Sequence, residues 1–240
     1  MSELTNAEVI RAWAAASDSA VAFGEEGDFA HQHLLNPAIF ALLGEVTDKQ
    51  ILDAGCGQGY LCRLLARKGA SVTGVEPADG LYGAALQREE AEPLGITYLQ
   101  HDLSTFTALQ SAFDVVIANM VFMDIPDYTS AIRNCIAALK PGGDFIFSLL
   151  HPCFEEPGSE WLRKGCVEVR EYLREHVKEQ RFGYLFHRPL CSYLNLVVQE
   201  GCALRQIIEP QLSQELARHI GNERDVHVPS FIVIHAARQQ

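Results

Sequence analysis

Short apolar or β-branched runs alternate along this chain with longer stretches of helical pattern. The first pair is QILDAG and a helix from Tyr60 to Lys68, and the second is SVTGVE and a helix near Gly80 to Glu92. ITYLQHD and FDVVIANM follow, then a helix from Tyr128 to Leu139 and the run DFIFSLL. Strands alternating with helices build a parallel sheet covered on both faces, and strands buried on both faces read as continuous apolar runs. An α/β core is therefore expected over residues 48–151.

The flanks break this rhythm. Before the core lie two helical stretches, Asn6 to Ala22 and Gln32 to Gly44, separated by the loop GEEGDF, so residues 1–47 are expected to form an N-terminal helical cap. Residues 152–188 are polar with interspersed aromatics and too long for a plain connector, which predicts a second, inserted cap over the strand ends. Residues 189–240 carry a helix near Cys191 to Gln199, the run ALRQIIEP, a further helix and the run FIVIHAA. The two late runs are expected as edge strands, one of them antiparallel. At 240 residues the whole is read as one domain.

Charge narrows the partners. With 31 acidic against 19 basic residues the formal charge is −12, which disfavours a phosphate backbone that needs Lys and Arg to displace counterions. Arg163, Lys164, Arg170 and Arg174 lie close together but are interleaved with acids, the pattern of a solvated face. The seven cysteines are odd in number and form no Cys-x-x-Cys pair, so free thiols in a reducing compartment are expected. MSELTNAEVIRAW lacks the basic start and apolar core of a secretory signal, and no apolar run reaches the ~20 residues of a membrane span. These features predict a cytoplasmic protein with neither nucleic acid nor membrane as partner. His31 and His33 stand two apart, facing different ways on a helix, so no metal is expected.

The chemistry begins at Asp53-Ala54-Gly55-Cys56-Gly57-Gln58-Gly59, a glycine turn at the end of the first strand. In open α/β sheets the ligand lies beyond the carboxyl ends of the strands. A dinucleotide loop would need glycine where Tyr60 stands, and a carboxylate at Asp53 would repel a pyrophosphate. It suits instead a ligand bearing an ammonium and a sulfonium. The second strand ends in Glu76, placed to accept from both ribose hydroxyls. The third ends in Asp102-Leu103, a carboxylate and a backbone N–H for an adenine edge. For Asp102 alone, a helix N-cap is the competing role.

Taken in order, the Asp53 glycine loop, Glu76, Asp102, Phe113-Asp114-Val115-Val116 and Leu139-Lys140-Pro141-Gly142-Gly143 resemble the class I S-adenosylmethionine-dependent methyltransferases, of the small-molecule, methyltransferase domain 11-like type. The resemblance covers roughly residues 50–150. It implies a Rossmann-like, seven-stranded, mostly parallel sheet with the last strand antiparallel. It also implies S-adenosyl-L-methionine as cofactor, with S-adenosyl-L-homocysteine as product. The implied cofactor-binding residues are Asp53, Gly55, Cys56, Gly57, Gly59, Glu76, Pro77, Asp102, Leu103, Asn119 and Met120, joined by Trp13 and His31 from the N-terminal cap. Leu139 to Gly143 is by the same analogy a structural turn, so Lys140 is not catalytic. Nucleic-acid amino-methylating members would show two prolines and an aromatic after Asn119, and these are missing.

Methyl transfer is an in-line displacement, so the protein must mainly hold the acceptor and exclude water. Strand five runs into Leu150-His151-Pro152-Cys153-Phe154, which places His151 near the site as a base or as a structural histidine fixing the turn. A small-molecule subgroup shares this HPCF run, His187-Arg188-Pro189-Leu190 and Asn36-Pro37. Phe122, His151, Phe154, Tyr184 and His187 are the expected acceptor contacts, with the cap aromatics Phe23, Phe29, Trp161, Tyr172, Phe182 and Phe186 as packing or pocket lining. The predicted reaction is methylation of an N or O atom of a small molecule by a monomer or dimer. A cofactor-binding regulator without turnover and an NAD-dependent oxidoreductase are the rival readings.

Overall fold

The structure is a computed structural model that describes residues 4–21, 24, 26–107, 110–154, 159–180 and 183–240. Ala22, Phe23 and Phe182 lie outside the described residues. After α1 (Asn6–Val21) and a π-type turn over His31–Leu35, α2 (Asn36–Leu43) leads into the core. The core runs β1 (Gln50–Ala54), α3 (Tyr60–Arg67), β2 (Ser71–Val75), α4 (Asp79–Ala91), β3 (Thr97–Leu99), β4 (Phe113–Asn119), α5 (Tyr128–Ala138) and β5 (Leu139–Leu150). Then come α6 (Ser159–Lys164), β6 (His176–Gln180), β7 (Gly183–His187), α7 (Leu190–Gln199), β8 (Cys202–Ile208), α8 (Gln214–Ile220), α9 (Arg224–His227) and β9 (Phe231–Arg238).

One seven-stranded sheet has the order β3-β2-β1-β4-β5-β9-β8. β1 pairs in parallel with both β2 and β4, so strand order reverses there and opens a crevice beyond Ala54 and Asn119. β9 is the antiparallel strand, hydrogen-bonded to β5 on one side and β8 on the other. This corrects the expectation of two edge strands: of the two late strands β8 alone is an edge, opposite β3, and β9, apolar at Ile232, Val233, Ile234 and Ala236, lies in the sheet interior. Pairing order follows from long-range contacts that a linear pattern does not encode.

The sheet separates two apolar layers. Leu52, Ala54, Val116, Phe145 and Phe147 face α5 and α7, whereas Ile51, Val115, Ile117 and Ile146 face α2 and α3. The alternation is the strand's two-residue side-chain period, with both faces covered. Helix ends follow local chemistry. The Asp127 carboxylate caps α5 by accepting from Ser130 N at 3.1 Å, Pro37 sits in the first turn of α2, and Gly221 ends α8 in the left-handed region. Truncating a fully buried ring such as Phe147 to alanine costs about 3–5 kcal/mol.

Two elements close over the crevice. α1 packs Trp13 and Ala14 on Ala78 and Leu81 at the start of α4. The hairpin β6–β7 lies against α1 and the turn after β4, with Gly183 facing the Trp13 indole.

Candidate active site

Beyond the ends of β1, β2, β3 and β4 lies a cavity of about 230 Å³. Its floor is the turn Gly55 to Gln58, with Tyr60; its sides are Glu76 and Pro77 after β2, Asp102 and Leu103 after β3, and Asn119 to Val121 after β4. Asn6, Val9, Ile10 and Trp13 of α1 roof it, and His31 and Gly27 close one end. Gly55 has φ +75°, and a Cβ there would stand 2.7 Å from a methyl of Val121 on the opposite wall. Gly59 has φ +79°, and a Cβ there would run into the Tyr98 ring and hydroxyl; it is not among the residues lining the cavity. Both positions need a residue without Cβ.

The carboxylates differ in what they already hold. Glu76 accepts from Gly57 N at 3.1 Å and Ala78 N at 2.8 Å, and burial pushes its carboxyl up to about 7 against those hydrogen bonds. It thereby ties the glycine turn to the second strand. Asp102 accepts from both Ser104 N at 2.8 Å and the Asn6 amide at 3.2 and 3.3 Å; among the described residues no helix lies between it and β4, so instead of an N-cap it closes the turn after β3 and anchors α1. Asp53 does not line the cavity. It shares the strand face of Ile51, beneath α3, where the Cys62 thiol donates to it at 3.1 Å and burial raises its carboxyl to about 6. Side-chain alternation along β1 turns Asp53 away from the face expected of it and brings its backbone neighbours to the site.

A polar chain crosses the floor: Ser148 Oγ donates to Asn119 Oδ1 at 2.5 Å, Asn119 Nδ2 to Tyr60 Oη at 2.6 Å, and Tyr60 Oη to Asn36 Oδ1 at 3.2 Å. It locks the end of β4 to α3 and α2 through the Tyr60 hydroxyl. Met120, next in sequence, is held at φ +62° with its N–H on Ser148 Oγ. Such a non-glycine residue in the left-handed region persists only where surroundings over-determine it. His31 Nδ1 lies 2.7 Å from Asp28 Oδ1, with its ring edge-on to Tyr60.

Of the expected cofactor set, the cavity gathers Trp13, His31, Gly55, Cys56, Gly57, Glu76, Pro77, Asp102, Leu103, Asn119 and Met120, and leaves out Asp53 and Gly59. None of the expected acceptor contacts lines it. Phe122 is fully buried against Phe145 and Phe147, because the turn after β4 rolls its ring into the core. His151 is bonded at both ring nitrogens, Nδ1 accepting from Cys153 N at 3.3 Å and Nε2 donating to Glu209 at 2.9 Å, and Phe154 stacks on it. The chain bends away at Pro152, so this group sits beside β9 instead of at the crevice. His187 Nε2 donates to the Tyr172 carbonyl at 2.9 Å, and Tyr184 lies half-buried on β7. The sequence reading omitted Asn6, Tyr60 and Asp124, all of which line the cavity. For Asp124 the available signal was a lone carboxylate inside the apolar run NMVFMDIP.

Similarity to known proteins is consistent with this geometry. A methyltransferase domain model matches residues 52–147. A ubiquinone biosynthesis O-methyltransferase of Shigella boydii is 34% identical over 200 residues, covering 71% of this chain and 81% of that protein. The chain belongs to the S-adenosylmethionine-dependent methyltransferases. A methyltransferase of this name from Coxiella burnetii is 32% identical over 154 residues, covering 59% of this chain and 66% of the relative's length. Among solved structures, an S-adenosylmethionine-dependent methyltransferase from Mesorhizobium loti superposes with TM-score 0.76 at 26% identity, over 90% of this chain and all of that one. The cavity fits the family's cofactor on its own chemistry: among the described residues lining it are three carboxylates and no Lys or Arg. Such a lining accommodates a sulfonium and an ammonium and repels a pyrophosphate.

Proposed function

We propose that this methyltransferase transfers the methyl group of S-adenosylmethionine to an oxygen atom of a small molecule. The observation carrying the reading is the cavity itself, apolar in its walls, acidic in its polar groups and roofed by α1. The relatives from Coxiella burnetii and Shigella boydii are O-methyltransferases, which favours oxygen over nitrogen.

In this reading Glu76 holds the ribose hydroxyls, Asp102 and Leu103 the adenine edge, and the Gly55 to Gly57 turn, Asn119 and Met120 the amino-acid portion. Bound there, S-adenosylmethionine supplies an electrophilic methyl on a cationic sulfur. The remaining work belongs to the chain. Val9, Ile10 and Trp13 cover the nucleoside end and keep water out, which strengthens each carboxylate's attraction for positive charge. The Ser148–Asn119–Tyr60–Asn36 relay holds the floor rigid, so that the acceptor meets the methyl in one orientation.

Thermal unfolding with added cofactor tests this. S-adenosylmethionine at about a hundredfold its dissociation constant stabilises the fold by about 2.7 kcal/mol. With a panel of phenols present, S-adenosylhomocysteine accumulates. A flat titration refutes the cofactor site, and binding without product from any acceptor refutes the transfer.

A further inference from the structure

Asp124 stands apart from the other acids of the cavity. It closes the short 3₁₀ turn Phe122–Asp124 after β4 and lines the cavity beside Ile125 and Pro126. Glu76 and Asp102 each accept hydrogen bonds from the protein, whereas the Asp124 carboxylate accepts none from the described residues. Burial pushes its carboxyl well above the usual range, with the Arg188 charge opposing. Asp124 is half-buried at the cavity wall, and partly desolvated carboxylates with no protein donor concentrate where a ligand can complete them.

The turn is held from behind by Arg188. Its guanidinium donates to the Phe122 carbonyl at 3.2 Å, the Ile125 carbonyl at 2.9 Å and the Pro126 carbonyl at 3.0 Å, bracketing Asp124 on both sides. It is stacked 4.1 Å above the Tyr128 ring and 5.1 Å from the Phe186 ring. With both terminal nitrogens on these carbonyls, and one also on Tyr193 Oη at 3.4 Å, Arg188 fixes the backbone on either side of Asp124, which lines the cavity. Arg188 follows β7, so the inserted hairpin and this turn are mechanically one unit.

We propose that Asp124 binds and deprotonates the acceptor, that Arg188 positions it, and that the acceptor is a neutral or cationic ring compound carrying a hydroxyl or amine, not a carboxylate or phosphate. This rests on the transfer reading above. The acceptor oxygen forms the new O–C bond with a lone pair, the methyl–sulfur bond breaks with its electrons left on sulfur, and the hydroxyl proton passes to the Asp124 carboxylate and on to solvent. Exclusion of anions follows from a cavity in which no Lys or Arg, and only His31 among basic side chains, stands among the described lining residues to neutralise a carboxylate or phosphate.

The test uses the full chain saturated with S-adenosylhomocysteine, with catechol, phenethylamine and 3,4-dihydroxybenzoate as probes and calorimetry as readout. Wild type binds catechol or phenethylamine, and prefers catechol to its carboxylated analogue by about tenfold or more. Asp124→Asn, nearly isosteric, leaves S-adenosylhomocysteine affinity within about twofold, weakens the bound probe about tenfold, and slows methyl transfer about a hundredfold. Arg188→Lys keeps the charge but loses the fork, and lowers probe affinity while sparing S-adenosylhomocysteine. Parallel loss of both ligands in Arg188→Lys would make Arg188 merely structural and overturn the positioning role. Unchanged probe affinity and turnover in Asp124→Asn overturns the role of Asp124. Preference for the benzoate, or no probe binding to wild type, overturns the acceptor class. Failure of wild type to bind S-adenosylhomocysteine defeats the underlying reading instead.

Discussion

The outlets of β4 and β5 are neighbouring strand ends with opposite fates. After β4, the chain stays at the crevice: Asn119, Met120 and Asp124 all line the cavity, and Met120 accepts a left-handed backbone to do so. After β5, His151 is drawn into a closed group with Glu209, Cys153 and Phe154, and its backbone N–H bonds Ser230 O beside β9. The group with the more suggestive residue type is satisfied, and the one with an ordinary aspartate is not. Reactivity follows unmet hydrogen-bonding capacity, and a histidine with both nitrogens engaged has little left to offer a substrate.

The largest effect that would break this contrast is pH dependence. Asp53 moves from 3.8 to about 6 on folding and Glu76 from 4.5 to about 7, both through burial. A folded pKa above the unfolded one means stability fully present below pH 4 and lost as pH rises through 6 to 7, by up to about 3 kcal/mol for each group. Chemical denaturation of the unliganded protein at pH 5 and pH 8 should show that fall, and Glu76→Gln should flatten its upper part. A wild-type slope equal to that of Glu76→Gln would mean that the carboxyl is not buried as described.

Next in size, Glu76→Ala removes the charged acceptor at the end of β2 and should weaken S-adenosylhomocysteine by about tenfold to a hundredfold in calorimetry. Equal affinity would shift the ribose contact elsewhere and sink the assignment. The smallest effect belongs to the β5 outlet. His151→Gln, which loses the Glu209 contact and the ring stacked on Phe154, should lower stability by about 1–2 kcal/mol. Turnover per folded molecule should stay within about threefold, far from the hundredfold or more expected for loss of a general base. A hundredfold drop in kcat would restore His151 as a base and erase the distinction between the two outlets.

The carboxylates after β2 and β3 were legible from sequence because their positions follow from strand periodicity and from the glycine turn that marks the switch point. Asp53 was named but its direction was not: the two-residue period of β1 puts it on the face of Ile51, under α3. Phe122 and Asp124 occupy one 3₁₀ turn, and the carbonyls around it are held by Arg188, a residue 64 positions beyond Asp124 by numbering (188 minus 124). No local pattern announces that clamp. The misplacement of β9 as an edge strand has the same origin, since the pairing of Ser148 with Val233 joins segments far apart in the chain.

That strand has a consequence for how the molecule is made. β9 follows β8 in sequence yet lies between β8 and β5, so while the chain emerges from the ribosome β8 has no sheet to join and the β5 margin stays open. The first four strands have all their neighbours once β5 has emerged, but an interval follows in which two unpaired strand margins coexist. Open margins of this kind are templates for association with other chains. The vulnerable species during biogenesis is thus the nascent protein ending before Phe231, in which β8 has no strand joining it to β5.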